Sequence, residues 1–353
     1  MLIVVGNSPS SGSTFLGDLL DSTPLTLCGG ELGLFSSPRF FAELYRGPDC
    51  MATFAAWFQS PVSCAYLYYG YLRRDRLADY GLSYSDFFRL YRQHWCQGDR
   101  QGFVDALREA FVAYRRIKTR PVFCEKSPQN VACIREVLAG FDDAVFVHVV
   151  RNPAYIYPSL VKRGFSPVTA AATWLADVSA VIAQEGNPRV KVVHYEALVA
   201  DPFGVVARLV SDITGEPVAP ATVQALYEGN RYRQTISKKL GSWSVGAYGQ
   251  VANANRKQLS AADASALAWL EGQRLAPGYV AAKGLAPVSM RDALAHYGYL
   301  DDYRAACAGA VPAAPRHTGR GRFGMVRKAL VDRRYGGTLP FADYQRLFAG
   351  ATA

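Results

Sequence analysis

The sequence predicts an α/β fold in which helices cover a central, mostly parallel sheet, and three stretches carry that expectation. Leu2–Val5 is an apolar strand that runs into the small polar turn from Gly6 to Gly12. A helix follows, with Phe15, Leu16, Leu19 and Leu20 on one face. The segment 144–150 is apolar almost throughout, the pattern of a strand buried on both faces of a parallel sheet. A helical segment at 170–184 followed by the strand Val190–His194 repeats the alternation of helix and strand.

The opening strand, turn and helix are the most informative of these. A turn of this composition points backbone N–H groups into one small volume at a helix N-terminus, where the dipole favours an anion. Ser13 or a near neighbour starts the helix, and Pro24 stops it. The ATPase pattern G-x-x-x-x-G-K-[ST] is not met, because Gly6 and Gly12 bracket five residues and Ser13 stands in the lysine's place. An ordinary ATPase or GTPase is thereby disfavoured. From this stretch alone, a tight βα turn without a ligand stays open.

Length and composition bound the rest. A chain of 353 residues with 50% hydrophobic and 19% charged residues can bury a large core and should be mostly folded. The excess of 39 Lys+Arg over 29 Asp+Glu gives +10, which suits an anionic partner. No recognised nucleic-acid-binding module accompanies it, and the arginines concentrate near the C-terminus at 316–334, so nucleic acid is not the expected partner. The seven cysteines show no C-x-x-C and no metal-ligand spacing, which reads as buried thiols in a reducing compartment and no metal. No secretory signal or membrane span opens the chain; the expected location is cytoplasmic.

Along the chain, Cys28-Gly29-Gly30-Glu31 puts a carboxylate just past the first βα unit, near the sheet edge where α/β folds place ligands. A solvated turn carboxylate is the plainer reading of Glu31. Residues 38–120 form a helical, arginine-dotted insertion crowded with tyrosine, which serves as core or walls an acceptor pocket. His94 sits within it as a reserve base. Pro121–Cys124 is a short strand leading to Glu125-Lys126-Ser127-Pro128, so Lys126 falls at a strand end. His148 lies inside the strand at 144–150 and reads as a core residue. That strand ends in Arg151-Asn152-Pro153, where Asn152 caps and Pro153 opens a helix. Ser159 follows eight residues after Arg151, and Pro158 before it is expected to break or kink the helix. Tyr195-Glu196-Ala197-Leu198 leads to another helix, and 229–243 is a basic loop. The expected division is a domain at 1–305, with 306–353 as linker and basic tail.

Taken together, these stretches resemble the sulfotransferases that use 3′-phosphoadenosine 5′-phosphosulfate (PAPS), nearest the branch that includes bacterial and tyrosylprotein sulfotransferases. Pro9-Ser10-Ser11-Gly12-Ser13-Thr14 is similar to the family's 5′-phosphosulfate loop, P-[RK]-S-G-[TS]-[TS]. Arg151-Asn152-Pro153 with Ser159 resembles its 3′-phosphate motif, and Glu125-Lys126-Ser127-Pro128 resembles its E-K-[TS]-P. The segments 28–31, Tyr195-Glu196-Ala197-Leu198 and Gly229-Asn230-x-x-Arg233 resemble its C-G-E, Y-E-[DA]-L and G-N-x-x-R elements. The resemblance runs from residue 1 to about 275 without the insertion in detail and without the tail. It implies a P-loop-like three-layer fold.

For chemistry, the resemblance implies in-line transfer of a sulfuryl group from PAPS to the hydroxyl of a small-molecule, glycan or lipid acceptor. Ser10, Ser11, Gly12, Ser13 and Thr14 would cradle the 5′-phosphosulfate, while Arg151 and Ser159 hold the 3′-phosphate. Glu31 would act as base and Lys126 would stabilise the transition state. Arg233, Lys238 and Lys239 would close over the nucleotide. Ser10 stands where the family usually has Arg or Lys, leaving Lys126 to supply the charge, a contribution of about 3 kcal/mol. A PAPS-binding relative without activity and a P-loop nucleotide kinase are the alternatives. The aromatic insertion tilts the acceptor towards a bulky, partly apolar molecule.

Overall fold

The structure is a computed structural model and describes residues 1–28, 31, 33, 35, 100–115, 121–162, 165, 167–230, 259–315 and 348. His94, Arg231, Arg233, Lys238, Lys239, most of the aromatic insertion and nearly all of the basic tail lie outside those residues.

Five parallel strands form the sheet: β1 (Leu2–Gly6), β2 (Thr26–Cys28), β3 (Val122–Lys126), β4 (Ala144–Val150) and β5 (Val190–His194), in the order β2-β3-β1-β4-β5. β1 is central, paired with β3 from Leu2↔Phe123 to Val5↔Lys126 and with β4 from Leu2↔Ala144 to Gly6↔His148. The chain lays its first strands on one side of β1 and its last on the other, so the topological switch falls at the C-terminal end of β1. All ends that matter to the site point the same way.

The period-two alternation of strands splits the core between the two faces. Leu2, Val4, Phe123 and Phe146 face one cluster; Ile3, Val5, Cys124, Val147 and Val149 face the other. The second face is covered by α1 (Ser13–Leu20), α6 (Tyr195–Ala200), α7 (Pro202–Thr214) and α8 (Pro220–Gly229). The first is covered by α3 (Ile134–Gly140), α4 (Pro153–Lys162), α5 (Pro167–Ile182), α9 (Ala261–Leu270), α11 (Met290–His296) and α12 (Leu300–Ala306). Helix α2 (Arg100–Arg115) adds Val104 and Leu107 to this cluster, and α10 (Pro277–Lys283) adds Val280. The result is a three-layer α/β sandwich: the parallel sheet with covering helices that the alternation predicts, in the layering that the resemblance implies. The cluster extends to Cys307 and takes in Phe348, whose ring meets Trp269 edge-on.

Two helix bounds differ from expectation. Helix α1 stops at Leu20, four residues ahead of Pro24. Helix α4 runs unbroken from Pro153 to Lys162 with Pro158 inside it. Pro158 has no N–H to offer the Ala154 carbonyl, and the burial of Ile156, Tyr157 and Leu160 carries the helix past it without a break.

Candidate functional site

The turn after β1 contains two left-handed residues. Ser10 has φ 75° and Gly12 has φ 95°, and Gly12 is the cap from which α1 starts. A left-handed conformation at a serine costs about 1 kcal/mol, so the loop is held in its shape by what surrounds it. The Ser11 N–H donates to Ser8 O at 3.2 Å and Asn7 N–H to Pro128 O at 2.9 Å, which ties the turn to the end of β3. A Cβ at Gly12 would lie 2.3 Å from the Tyr195 ring, so glycine here permits the close approach of β5's end to the turn. The Ser8, Ser10 and Ser11 hydroxyls are buried with no hydrogen-bond partner among the described residues. Ser13 is also buried, and Thr14 is half-buried at the start of α1.

Lys126, the last residue of β3, lies beside this turn. Its Nζ donates to Glu31 Oε1 at 2.7 Å and stands 3.4 Å from Thr14 Oγ1. The two charged side chains are 2% and 1% exposed, so this is an ion pair shut away from solvent. The lysine stem reaches it across Gly17 of α1, where a Cβ would meet Lys126 Cε at 3.3 Å. The plainer reading of Glu31 as a solvated turn carboxylate is thus corrected: it is 3% exposed and paired.

Glu125, next to Lys126, holds the segment that carries Glu31. Its Oε1 accepts from the Gly33 N–H at 2.9 Å and from Ser127 Oγ at 2.7 Å, and its Oε2 accepts a short hydrogen bond from Asn130 Nδ2. Burial pushes this carboxyl up from its ordinary range, against those three hydrogen bonds, which favour the ionised form. Asn130 also donates to Val5 O at 3.0 Å, connecting the arrangement to the central strand.

Across β1, Arg151 follows the end of β4. Its Nη1 donates to Ser10 O at 3.1 Å, and the guanidinium lies 4.2 Å from the centroid of the Tyr195 ring. Its Nε is buried without a hydrogen-bond partner among the described residues. Burial lowers the arginine's pKa, partly offset by Tyr195 and Glu196, though a guanidinium keeps its charge. Trp174 Nε1 donates to the Arg151 carbonyl at 3.0 Å, and Asn152 Oδ1 accepts from Ala154 N–H at 2.9 Å, the cap that the Arg-Asn-Pro sequence predicts. Tyr195 therefore touches both halves, the turn at Gly12 and the cation at Arg151. Ser159 is half-buried on the second turn of α4.

The structure thus brings together Ser10 to Thr14, Lys126 and Glu31 on one side and Arg151 on the other. The Arg151 guanidinium, the Lys126–Glu31 ion pair and the unpartnered buried hydroxyls of Ser8, Ser10 and Ser11 lie around one turn at the helix N-terminus, the kind of place where an anion is favoured. Sequence reasoning placed Tyr195 in the Tyr195-Glu196-Ala197-Leu198 element without giving it a role, and the local patterns of Asn130 and Gly33 signal none. Among the described residues no group of His, Cys, Asp and Glu is placed to hold a metal ion, and no helix is long and apolar enough to cross a membrane.

No curated protein sequence matches the chain. Among solved structures it is similar to the sulfotransferase domain of the Synechococcus PCC 7002 olefin synthase, with 19% identity over 73% of this chain and 95% of that one and a TM-score of 0.42. It is similar to the sulfotransferase domain of the curacin biosynthetic pathway at 16% identity, 72% and 96% coverage and a TM-score of 0.44. Sulfotransferase STF9 from Mycobacterium avium shares 18% identity over 70% and 78%, with a TM-score of 0.37. Family membership rests on none of these distant likenesses. Residues 2–218, well over half of the chain and every described residue of the two half-sites, match the model of the Sulfotransferase family, and the protein belongs to that family.

Proposed function

We propose that the protein transfers a sulfuryl group from PAPS to the hydroxyl of an acceptor. Sulfonate transfer is the chemistry of its family. The observation that carries the finer reading is the pair of half-sites at the two flanks of β1: a turn with buried hydroxyls beside Lys126, and a buried arginine with an unpartnered Nε. A nucleotide with phosphate at both its 3′ and 5′ positions would give each half-site its own anion. ATP leaves the arginine without an anion.

In this reading Ser10 to Thr14 hold the 5′-phosphosulfate with N–H groups and hydroxyls, and Arg151 with Ser159 holds the 3′-phosphate. Arg233, Lys238 and Lys239 close over the nucleotide. Lys126 leaves Glu31 for the sulfuryl and bridging oxygens as charge builds there, a contribution of about 3 kcal/mol for such a preorganised cation. Glu31, released from the lysine, accepts the proton of the acceptor hydroxyl. The acceptor oxygen bonds to sulfur while the bond from sulfur to the bridging oxygen breaks, and 3′-phosphoadenosine 5′-phosphate (PAP) leaves. No metal takes part. The acceptor is bulky and partly apolar, bound by the aromatic insertion within the domain 1–305. Apart from Cys307 and Phe348, which join the core, the segment 306–353 is a linker and basic tail, and the enzyme is cytoplasmic.

One observation favours a second reading, a PAPS-binding protein without transfer. Ser10 supplies no cation, and it offers its carbonyl to Arg151. A transfer assay with labelled PAPS over a library of sugar, lipid, phenol and peptide hydroxyls separates the two. Labelled product supports the enzyme; tight PAP binding with no product across the library supports the binder.

A further inference from the structure

The segment that braces the arginine lies outside the family match. Tyr299, just ahead of α12, donates its hydroxyl to Glu196 Oε2 at 2.6 Å and lies 3.3 Å from the Val150 carbonyl and 3.1 Å from His194 Nδ1. Three residues on, Asp302 accepts from Asn152 Nδ2 at 2.9 Å and from the Tyr155 hydroxyl at 3.0 Å. Glu196 in turn accepts from the Asn152 N–H at 3.4 Å.

These contacts have a pattern. They engage the residues on both sides of Arg151, Val150 and Asn152, and on both sides of Tyr195, His194 and Glu196. Arg151 and Tyr195 themselves are the pair whose stacking aims the guanidinium. The ends of β4 and β5 are thus fixed in register beyond the last rung of the sheet, at Val150↔His194, by one hydroxyl and one carboxylate from a segment 70 residues or more past the family match. Tyr299 is 7% exposed, and its ring lies tilted against that of His194 with centroids 5.6 Å apart, so burial and the ring contact both orient its hydroxyl.

We propose that Tyr299 and Asp302 are positioning residues that hold Arg151 and Tyr195 in the mutual register the 3′-phosphate requires. The proposal rests on the reading of Arg151 as the 3′-phosphate ligand. A contact that merely stabilised the fold would, on removal, weaken every nucleotide alike. A brace on Arg151 acts on the 3′-phosphate alone.

The experiment is calorimetric titration of the full chain with PAP and with adenosine 5′-phosphate, for the wild type, Tyr299→Phe and Asp302→Ala, and for Tyr299→Phe in an Arg151→Lys background. Tyr299→Phe keeps the ring and removes the hydroxyl; it should narrow the preference for PAP about five- to tenfold, the size of one or two lost hydrogen bonds, with adenosine 5′-phosphate affinity within about twofold. In the Arg151→Lys background the same change should narrow it no further, because coupled residues are non-additive. Asp302 is exposed, so Asp302→Ala carries the same comparison if Tyr299→Phe fails to fold. Equal losses for both ligands, or an unaltered preference, overturn the proposal. A wild type that binds both ligands equally overturns the Arg151 reading itself, a result recognisable before any variant is made.

Discussion

Lys126 Nζ lies 2.7 Å from Glu31 Oε1, and the pair is almost wholly removed from solvent. Each residue thereby neutralises the other, and neither can do its proposed chemistry until the pair separates. An isolated buried charge is costly, so the two single removals are not equivalent to the double one.

Lys126→Met leaves Glu31 buried without its cation and should destabilise the protein by about 3 kcal/mol. The double variant Lys126→Met, Glu31→Gln should recover more than half of that loss. Urea melts of the wild type, both single variants and the double variant measure it; additive losses would mean that the pair does not act as a unit.

Arg151→Ala should weaken PAP binding by about 2 kcal/mol, the value of a charge-assisted hydrogen bond, and adenosine 5′-phosphate binding far less. Calorimetry with the two ligands reads the difference. Equal losses would remove Arg151 from the 3′-phosphate.

Gly12→Ala places a Cβ 2.3 Å from the Tyr195 ring at a residue with φ 95°. Overpacking and backbone strain together should cost at least about 2 kcal/mol of stability, and binding of PAP and of adenosine 5′-phosphate should fall together, because the turn serves the phosphate common to both. Thermal melts and calorimetry check the two effects.

Burial pushes the His148 imidazole down from 6.5 to about 4, with His194 adding to the depression and the hydrogen bond to Gly6 O opposing it. The Tyr297 ring also faces it, with centroids 6.4 Å apart. In the unfolded chain the ring protonates near its ordinary value, so between pH 6.5 and about 4 the unfolded state binds more protons. The stability this neutral ring allows is present above that window and is lost as the pH falls through it, by about 3 kcal/mol in all. His148→Asn keeps a donor for Gly6 O and should flatten the acid slope of urea melts. An unchanged slope would assign the acid sensitivity to other groups.

The sheet was legible because its signals are local. Val190–His194 reads as a strand from its own residues and forms one at those bounds, and the Arg-Asn-Pro cap needs only three neighbours. Glu31 was not legible as a buried group, since its environment is set by a lysine 95 residues away that itself reaches the pair over Gly17. Pro158 does not end α4 for the related reason that packing of the helix outweighs one missing backbone hydrogen bond. Tyr299 and Asp302 carry no motif, and only the fold reveals that they meet the neighbours of Arg151 and Tyr195.

The most direct test of the account is transfer of label from PAPS by the wild type and by Glu31→Gln, with PAP affinity measured on the same samples. The account predicts labelled product from the wild type, a loss of turnover of at least about a hundredfold in Glu31→Gln, and PAP affinity nearly unchanged. A Glu31→Gln variant that transfers label at the wild-type rate would contradict it.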